Sequence, residues 1–159
     1  DGATAIDAST DISISEITAD TLDEIIYSYG GDENVEDVAV LILNKQDLKA
    51  FAMLRDASGR KVYEIVSKGN YGTINGVPYI INSNCGAISD DDTSVGAYCM
   101  AYGPLSNYTM AIFSDLEVAR STDYKFKEGM VAHRGVIFAG GNVTAKNGFL
   151  RVKKGATQG

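Results

Sequence analysis

The pattern of apolar and polar residues predicts an amphipathic helix near the start of the chain. Between residues 14 and 29 the apolar side chains recur at the 3.6-residue period of a helix, and acidic residues occupy the other face. Ser15, Thr18 and Thr21 are alternative starts, since all three are residue types that cap helices. Gly30-Gly31 follows, as expected at a helix C-terminus.

A short, wholly apolar run comes after this helix. Residues 38–43 read Val-Ala-Val-Leu-Ile-Leu, with acidic residues before them and Asn44 after them. Such a run predicts a strand that is buried on both faces. Asn44 is then expected to cap a second helix, whose apolar stripe runs from Leu48 to Leu54.

The rest of the chain is predicted to be mainly β-structure, after a turn at residues 56–59. The expected strands are residues 62–66, 77–82, 96–102, 110–113, 116–121, 130–139 and 148–153. The glycine-spaced residues 68–75 and the acidic residues 83–94 are expected to be loops, and residues 140–142 and 147–148 turns. Two helices followed by mixed or antiparallel strands indicate the α+β fold class.

Composition and charge limit the possible partners. The 159 residues carry 14 Lys and Arg against 21 Asp and Glu, a net charge of −7. The acidic excess argues against sequence-specific or backbone binding to nucleic acid, which needs clustered cations. The longest apolar run, residues 38–43, is far too short to span a membrane, so no membrane partner is expected.

Candidate chemistry is sparse. His133 stands alone in a predicted strand, and no Gly-x-Ser-x-Gly segment offers a nucleophile for it. Residues 69–76 fit neither phosphate-loop pattern, and Asp90-Asp91-Asp92 lacks the spacing of a calcium loop. Cys85 and Cys99 are expected to be reduced, although one disulfide between them stays open. We therefore expect no enzyme, no metal, no cofactor and no small-molecule substrate.

Four short motifs occur in order along the chain. They are Leu43-Asn44, Leu54-Arg55-Asp56-Ala57-Ser58-Gly59-Arg60, Ile74-Asn75-Gly76-Val77-Pro78-Tyr79 and the weaker Gly103-Pro104-Leu105. In this order, across residues 18–153, the chain resembles the C-terminal half of the tailed-bacteriophage major capsid protein family. In that family the last motif has an acidic residue after the glycine, which is missing here.

The resemblance implies the phage capsid fold and a shell-building role. It predicts a lead-in segment at residues 1–14, an axial-type α+β domain at 15–105, and a β-rich segment at 106–159 that completes the axial and peripheral sheet. The family's N-terminal arm, extended loop and spine helix come before this region, so we expect a fragment of a longer chain. The expected location is the virion, assembled in the bacterial host cytoplasm.

In the family, subunit rings meet through loops of the axial domain, so the expected partners are other copies of the same chain. By position, two loops are the candidate subunit contacts. Their residues are Lys68, Gly69, Asn70, Tyr71 and Gly72 in the glycine loop, and Asp90, Asp91 and Asp92 in the acidic loop.

Three other interpretations compete with a phage capsid. Encapsulin-type compartment shells share the fold. A β-rich binding or adhesin module of a bacterial surface protein would suit the Tyr-rich strands and the two Asn-x-Thr matches at Asn107 and Asn142. An enzyme would require His133 to be buried against an acid beside a serine.

Overall fold

The chain forms two compact units. The computed structural model describes residues 6–30, 38–115, 117–121 and 131–156. Unit 1 combines Asp1–Asn107 with Val143–Gly159, and unit 2 is Tyr108–Asn142. The predicted segments at 1–14, 15–105 and 106–159 stay a prediction. By contacts within the chain, residues 6–14 and 143–156 group with residues 15–107 in unit 1.

The described residues contain two α-helices, eleven strands and two short 3-10 helices, Ala8–Thr10 and Leu105–Asn107. The helices are α1 (Thr21–Ser28) and α2 (Lys45–Met53). The strands are β1 (Ile12–Ile14), β2 (Ala39–Leu43), β3 (Ile65–Lys68), β4 (Tyr71–Ile74), β5 (Val77–Ile81), β6 (Tyr98–Pro104), β7 (Tyr108–Ile112), β8 (Glu117–Ser121), β9 (Ala132–Val136), β10 (Ala139–Val143) and β11 (Leu150–Lys154). The predicted α+β class is confirmed.

Unit 1 is built on one seven-stranded sheet. Its strand order is β1-β11-β6-β2-β5-β4-β3, so β1 and β3 are the two edges. The pairs β2–β5 and β1–β11 are parallel, and the other neighbours are antiparallel. It follows that β1, β2, β3, β5 and β11 all finish at the same end of the sheet, which we call its carboxyl end.

The predicted buried strand lies at the centre of this sheet. β2 pairs on one side with β5 and on the other with β6. Leu41 and Leu43 have no exposed surface, and burying a side chain of this size contributes about 1.5–3 kcal/mol. The other face of β2, with Val40 and Ile42, is half-buried, so the predicted burial on both faces is complete on one face only.

The first helix begins later than its earliest predicted start. Thr21 is the first residue of α1, and its hydroxyl accepts a hydrogen bond from the Thr18 N–H at 2.8 Å. The Tyr63 hydroxyl lies 2.8 Å from the carbonyl oxygens of both Thr18 and Ala19. It also accepts a hydrogen bond from the Leu22 N–H at 3.4 Å. This contact ties down the chain ahead of the helix, so the helical period cannot extend back to residue 15.

The second helix is as predicted. The Asn44 side chain accepts a hydrogen bond from the Gln46 N–H at 3.0 Å and so caps α2. The same side chain donates to the Cys85 carbonyl at 2.7 Å, which links the helix start to the loop after β5. Phe51 is fully buried and makes an edge-to-face contact with Tyr63, with ring centroids 5.1 Å apart.

The end of the predicted lead-in is a strand of the main sheet. Ile12 and Ile14 of β1 pair with Val152 and Lys154 of β11. Ile14 is buried, and its carbonyl accepts a hydrogen bond from the Gly155 N–H at 2.8 Å. A strand of three residues has too short a pattern for its period to be read from sequence.

Residues 68–75, predicted to be a loop, form a hairpin and its second strand. Lys68 pairs with Tyr71 to close the β3–β4 hairpin around Gly69 and Asn70. Gly69 has φ +77°, which suits the first central position of a two-residue hairpin turn. The predicted loop is therefore wrong, since Gly69 forms a tight hairpin turn and Gly72 lies within a strand.

Gly72 lies inside β4 and leaves room for a tyrosine. The Tyr79 side chain extends from β5 across Gly72, and its hydroxyl lies 2.7 Å from the Ser67 hydroxyl on β3. A Cβ on Gly72 would lie 2.8 Å from the Tyr79 hydroxyl oxygen and 2.1 Å from the Val66 carbonyl oxygen. The Tyr79 side chain thus links β5 to β3 across β4, and it can do so because Gly72 has no side chain.

Unit 2 contains two separate two-stranded ladders, β7 with β10 and β8 with β9. The single strand predicted at residues 130–139 is divided between β9 and β10. Residue 130, the first of that predicted strand, and residue 116, the first of the strand predicted at 116–121, lie outside the described residues. The turn predicted at 140–142 was wrong, since these residues belong to β10. A Cβ on Gly141 would lie 2.1 Å from the Tyr108 hydroxyl oxygen, and one on Gly140 would lie 3.0 Å from the Phe113 ring.

We predict that Gly72→Ala destabilises unit 1. The added methyl must displace the Tyr79 ring or the β3 backbone, and such overpacking costs about 1–3 kcal/mol. Urea unfolding followed by circular dichroism measures the free energy of unfolding. As a control, Ser67→Ala removes one hydrogen-bond partner without crowding and should cost about 1 kcal/mol or less. A Gly72→Ala protein as stable as the parent would contradict this packing.

Candidate functional site

The first predicted contact loop is an exposed hairpin tip at one corner of the sheet. We call residues 68–71 the hairpin tip; all four are exposed, and Tyr71 is 59% exposed. The tip lies at the carboxyl end of the sheet, on the β3 edge. The Asn70 carbonyl accepts a hydrogen bond from the Ile81 N–H at 2.8 Å, which holds the tip against the end of β5. Gly72 is not part of the tip.

The second predicted contact loop, residues 83–94, follows β5; we call it the acidic loop. Asp91 and Asp92 are exposed, whereas Asp90 is half-buried. The Asp90 carboxylate accepts a hydrogen bond from the Asp92 N–H at 3.1 Å, and the Asp90 carbonyl accepts one from the Thr93 N–H at 3.1 Å. These bonds make the three-aspartate run a compact turn.

Asp47 anchors the acidic loop to α2. This carboxylate is fully buried. It accepts hydrogen bonds from the Ile88 N–H at 3.0 Å, the Ser89 N–H at 2.9 Å and the Ser89 hydroxyl at 2.8 Å. In the sequence, Asp47 is an ordinary acidic residue in the first turn of a helix. Its role could not be recognised there, because its partners are 41 and 42 positions away.

Lys154 anchors the same loop to the end of β11. Its side chain is 8% exposed, and its ammonium donates a hydrogen bond to the Asp90 carbonyl. Its backbone N–H donates to the Ala97 carbonyl at 2.9 Å, and its carbonyl accepts from the Gly96 N–H at 2.8 Å. The part of the loop around Asp90 is therefore held near the end of β11, five strands from β3 in the sheet order, although the loop begins after β5, beside the hairpin tip.

A groove of about 530 Å³ lies between the acidic loop, α2 and the chain that follows β1. Its apolar lining includes Ile17, Met53, Leu54 and Ile88. We call this the α2 groove. Glu16 and Asp91 also line it, together with Lys154. A second hollow of about 470 Å³ shares Ala50, Met53 and Ser89 with it and continues along α2 past Lys49.

A buried carboxylate fastens the first strand to the last. Asp11 is 2% exposed at its side chain and lies 2.7 Å from both the Arg151 Nε and the Lys153 ammonium. The Tyr98 hydroxyl donates to it at 3.2 Å, and both cations lie over the Tyr98 ring. Burial acts to raise the pKa of Asp11, but the bonds from Lys153 and Arg151 outweigh it and lower the pKa below 3.8.

The described residues offer no recognisable catalytic centre. His133 lies exposed on β9, where it pairs with Arg120 of β8. Cys85 and Cys99 are free thiols, and burial raises the pKa of both, which disfavours the reactive thiolate. No group of three His, Cys, Asp or Glu among the described residues could hold a metal ion. In the same part of the chain, no helix is long and apolar enough to cross a membrane.

We predict that Asp47→Ala releases the acidic loop. The Ile88 N–H would be left buried without its acceptor, so the free energy of unfolding should fall by about 2–4 kcal/mol. Hydrogen exchange should become faster at the Ile88 and Ser89 amides. Asp91→Ala is the matched control, because that exposed side chain should change stability by less than about 0.5 kcal/mol. Unchanged exchange in Asp47→Ala would rule out the anchor.

Because of Asp11, we expect the free energy of unfolding to depend on pH under acidic conditions. Because its folded-state pKa is lowered, the charged carboxylate stabilises the fold above its unfolded-state pKa of about 3.9. That contribution is lost as pH falls through the folded-state pKa. The parent should therefore be more stable than Asp11→Asn at pH ~6, and the difference should shrink towards pH ~2. Chemical unfolding of both proteins across this range provides the measurement; a constant difference would contradict the assignment.

Comparison with known proteins agrees with the architecture. A sequence profile described as the phage capsid family matches residues 1–154. A search of curated proteins gives no match. A chain from the capsid of an empty GTA particle has a TM-score of 0.68 at 23% identity, and the match covers 88% of this chain and 45% of that one.

Two other solved structures are similar. A chain from the capsid of a native GTA particle has a TM-score of 0.67 at 23% identity, over 94% of this chain and 48% of that one. A chain from Mycobacterium phage Ogopogo has a TM-score of 0.50 at 14% identity, over 87% and 52%. The chain thus spans about half the length of the solved chains it matches. The family profile covers nearly the whole sequence, and the chain belongs to the phage capsid family.

Proposed function

We propose that the chain is a structural subunit of the icosahedral capsid of a phage or prophage. The observation that carries this proposal is the family match over residues 1–154, supported by the shared fold of the GTA capsid chains. The family and its fold are those of structural proteins. We further propose that the chain has no catalytic activity and that its partners are other copies of itself.

Exposed apolar surface supports a role in assembly. None of the hydrophobic residues described in unit 2 is buried, and Met110, Ile112, Phe113 and Phe138 are each at least 60% exposed. Two-stranded ladders of this kind are marginally stable alone and need a covering surface. Large exposed apolar patches are typical of surfaces that contact other proteins. A shell subunit would bury such surface in the assembled particle.

The two predicted contact loops fit a capsomer interface. We propose that the hairpin tip and the acidic loop, including Asp90, Asp91 and Asp92, contact neighbouring copies. Both loops are fixed to unit 1: the Ile81 N–H holds the tip at the end of β5, and Asp47 of α2 and Lys154 of β11 hold the acidic loop. Contacts made by preorganised loops lose less conformational entropy on association. On this proposal, unit 1 holds the axial-type domain of the capsid fold.

The location and remaining partners follow from the same proposal. The chain would reside in the virion, after assembly in the cytoplasm of the bacterial host. Its net charge of −7 would disfavour adhesion to packaged DNA. The family match favours a capsid over a bacterial adhesin. An encapsulin-type shell, which shares the fold, is the alternative. The contents of the particles would distinguish it from a phage capsid.

The direct test is to express the gene product that carries residues 1–159 alone and to examine it by negative-stain electron microscopy. A capsid subunit should give closed icosahedral particles, and particles that enclose a cargo protein would favour the encapsulin alternative. A product that remains monomeric at high concentration would contradict the proposal.

Charge reversal in the acidic loop should impair assembly. We expect Asp91→Lys with Asp92→Lys to reduce particle yield several-fold on a sedimentation gradient, while Asp90 keeps the turn intact through its bond to the Asp92 N–H. Asp23→Lys with Glu24→Lys makes the same charge change on the exposed side of α1 and serves as the control. Equal particle yields from both variants would remove the acidic loop from the interface.

A further inference from the structure

We infer that the hairpin tip of one copy docks into the α2 groove of the next copy, which makes a head-to-tail contact around a ring. This inference rests on the proposed function, because it names the partner surface of the two contact loops. The occupant is a second copy of this chain, and the segment that enters the groove is residues 68–71.

The groove offers apolar surface to an occupant. It has a volume of about 530 Å³ and is open to solvent. Met53 lines it and is 64% exposed. An exposed methionine beside a concave surface is typical of a protein-binding site, because its side chain adapts to the partner.

The hairpin tip has the complementary features. Tyr71 is 59% exposed and projects from a closed two-residue turn. Tyrosine is among the residues most enriched in the energetic centres of protein interfaces. Lys68 stands opposite it in the hairpin and brings a positive charge. The tip therefore presents an aromatic side chain and a cation together.

Charge complementarity favours this pairing of surfaces. Glu16 and Asp91 line the groove and are both exposed, so Lys68 of an incoming tip would meet two carboxylates. Three cations of the described chain lie nearby: Lys154 is 8% exposed and bonded to the Asp90 carbonyl, and Arg55 donates to the Ala52 and Leu54 carbonyls at the end of α2. Lys49 lies along α2 in the adjoining hollow. Opposite charges at a contact mainly set its specificity and its rate of formation.

The fold prevents the tip from filling the groove of its own chain. The tip is on β3, and the acidic loop is bonded to the end of β11, five strands away in the sheet. At about 4.8 Å per strand, the two sites are roughly 24 Å apart. Lys68 and Lys154 end their strands at the carboxyl end of the sheet, on opposite sides of the central strand β2. Two unlike surfaces placed in this way on one subunit form a heterologous contact, which closes into a ring when the rotation allows.

A cysteine mixing experiment tests the contact. Lys68→Cys and Asp91→Cys are introduced into separate preparations of the gene product expressed alone, which are then mixed, concentrated and oxidised. A disulfide requires the two Cα atoms to lie within about 7 Å, so only a tip-to-groove contact joins the two variants. The mixture should give several-fold more covalent dimer than either variant alone. The parent, with Cys85 and Cys99, sets the background.

Lys61→Cys replaces Lys68→Cys in the matched control, since Lys61 is an exposed lysine before β3 and away from the tip. A mixture with no more dimer than the separate variants or the Lys61 control would overturn the inference. Charge exchange gives a second readout: Lys68→Glu should weaken self-association several-fold, and adding Asp91→Lys to the same chain should restore it. Failure of that restoration would also count against the contact.

The outcomes separate this inference from the proposed function. Icosahedral particles without the crosslink would leave the capsid role standing and overturn the tip-to-groove contact. The crosslink without particles would support the contact and contradict the capsid role.

Discussion

The burial of β2 at the centre of the sheet is the constraint on which the rest of unit 1 depends. β2 pairs in parallel with β5 and antiparallel with β6. Because it ends at the carboxyl end of the sheet, α2 starts there through the Asn44 cap, and the acidic loop starts there after β5. Asp47, three residues beyond Asn44, then holds that loop. One buried strand thus determines where both features that form the groove begin.

Local signals in the sequence predicted the central elements well. The β2 strand, the Asn44 cap and the Gly30 ending of α1 each depend on neighbouring residues, and the structure confirms them, although only one face of β2 is fully buried. The capsid resemblance came from the ordered motifs between Leu43 and Pro78, and the family match confirms it. The two contact loops stay a prediction, since their role depends on a partner.

What the sequence could not reveal depends on contacts between distant residues. Gly72 was read as a loop spacer because the Tyr79 side chain that crosses it becomes visible only when β4 and β5 are paired. Asp11 was one polar residue of a lead-in, yet it binds Arg151 and Lys153 from 140 residues away. The α2 groove joins residues after β1, on α2 and at the end of β11. No periodic pattern in the sequence indicates that these residues lie together.

We propose that this sheet is a shell-building module whose carboxyl-end features contact neighbouring copies. An electron cryo-microscopy map of particles formed by the gene product tests this proposal most directly. We expect the seven-stranded sheet to fit every subunit, with the Tyr71 side chain of one copy in density against Met53 of the next. A map in which the sheet fits but its carboxyl end contacts no other copy would contradict the proposal.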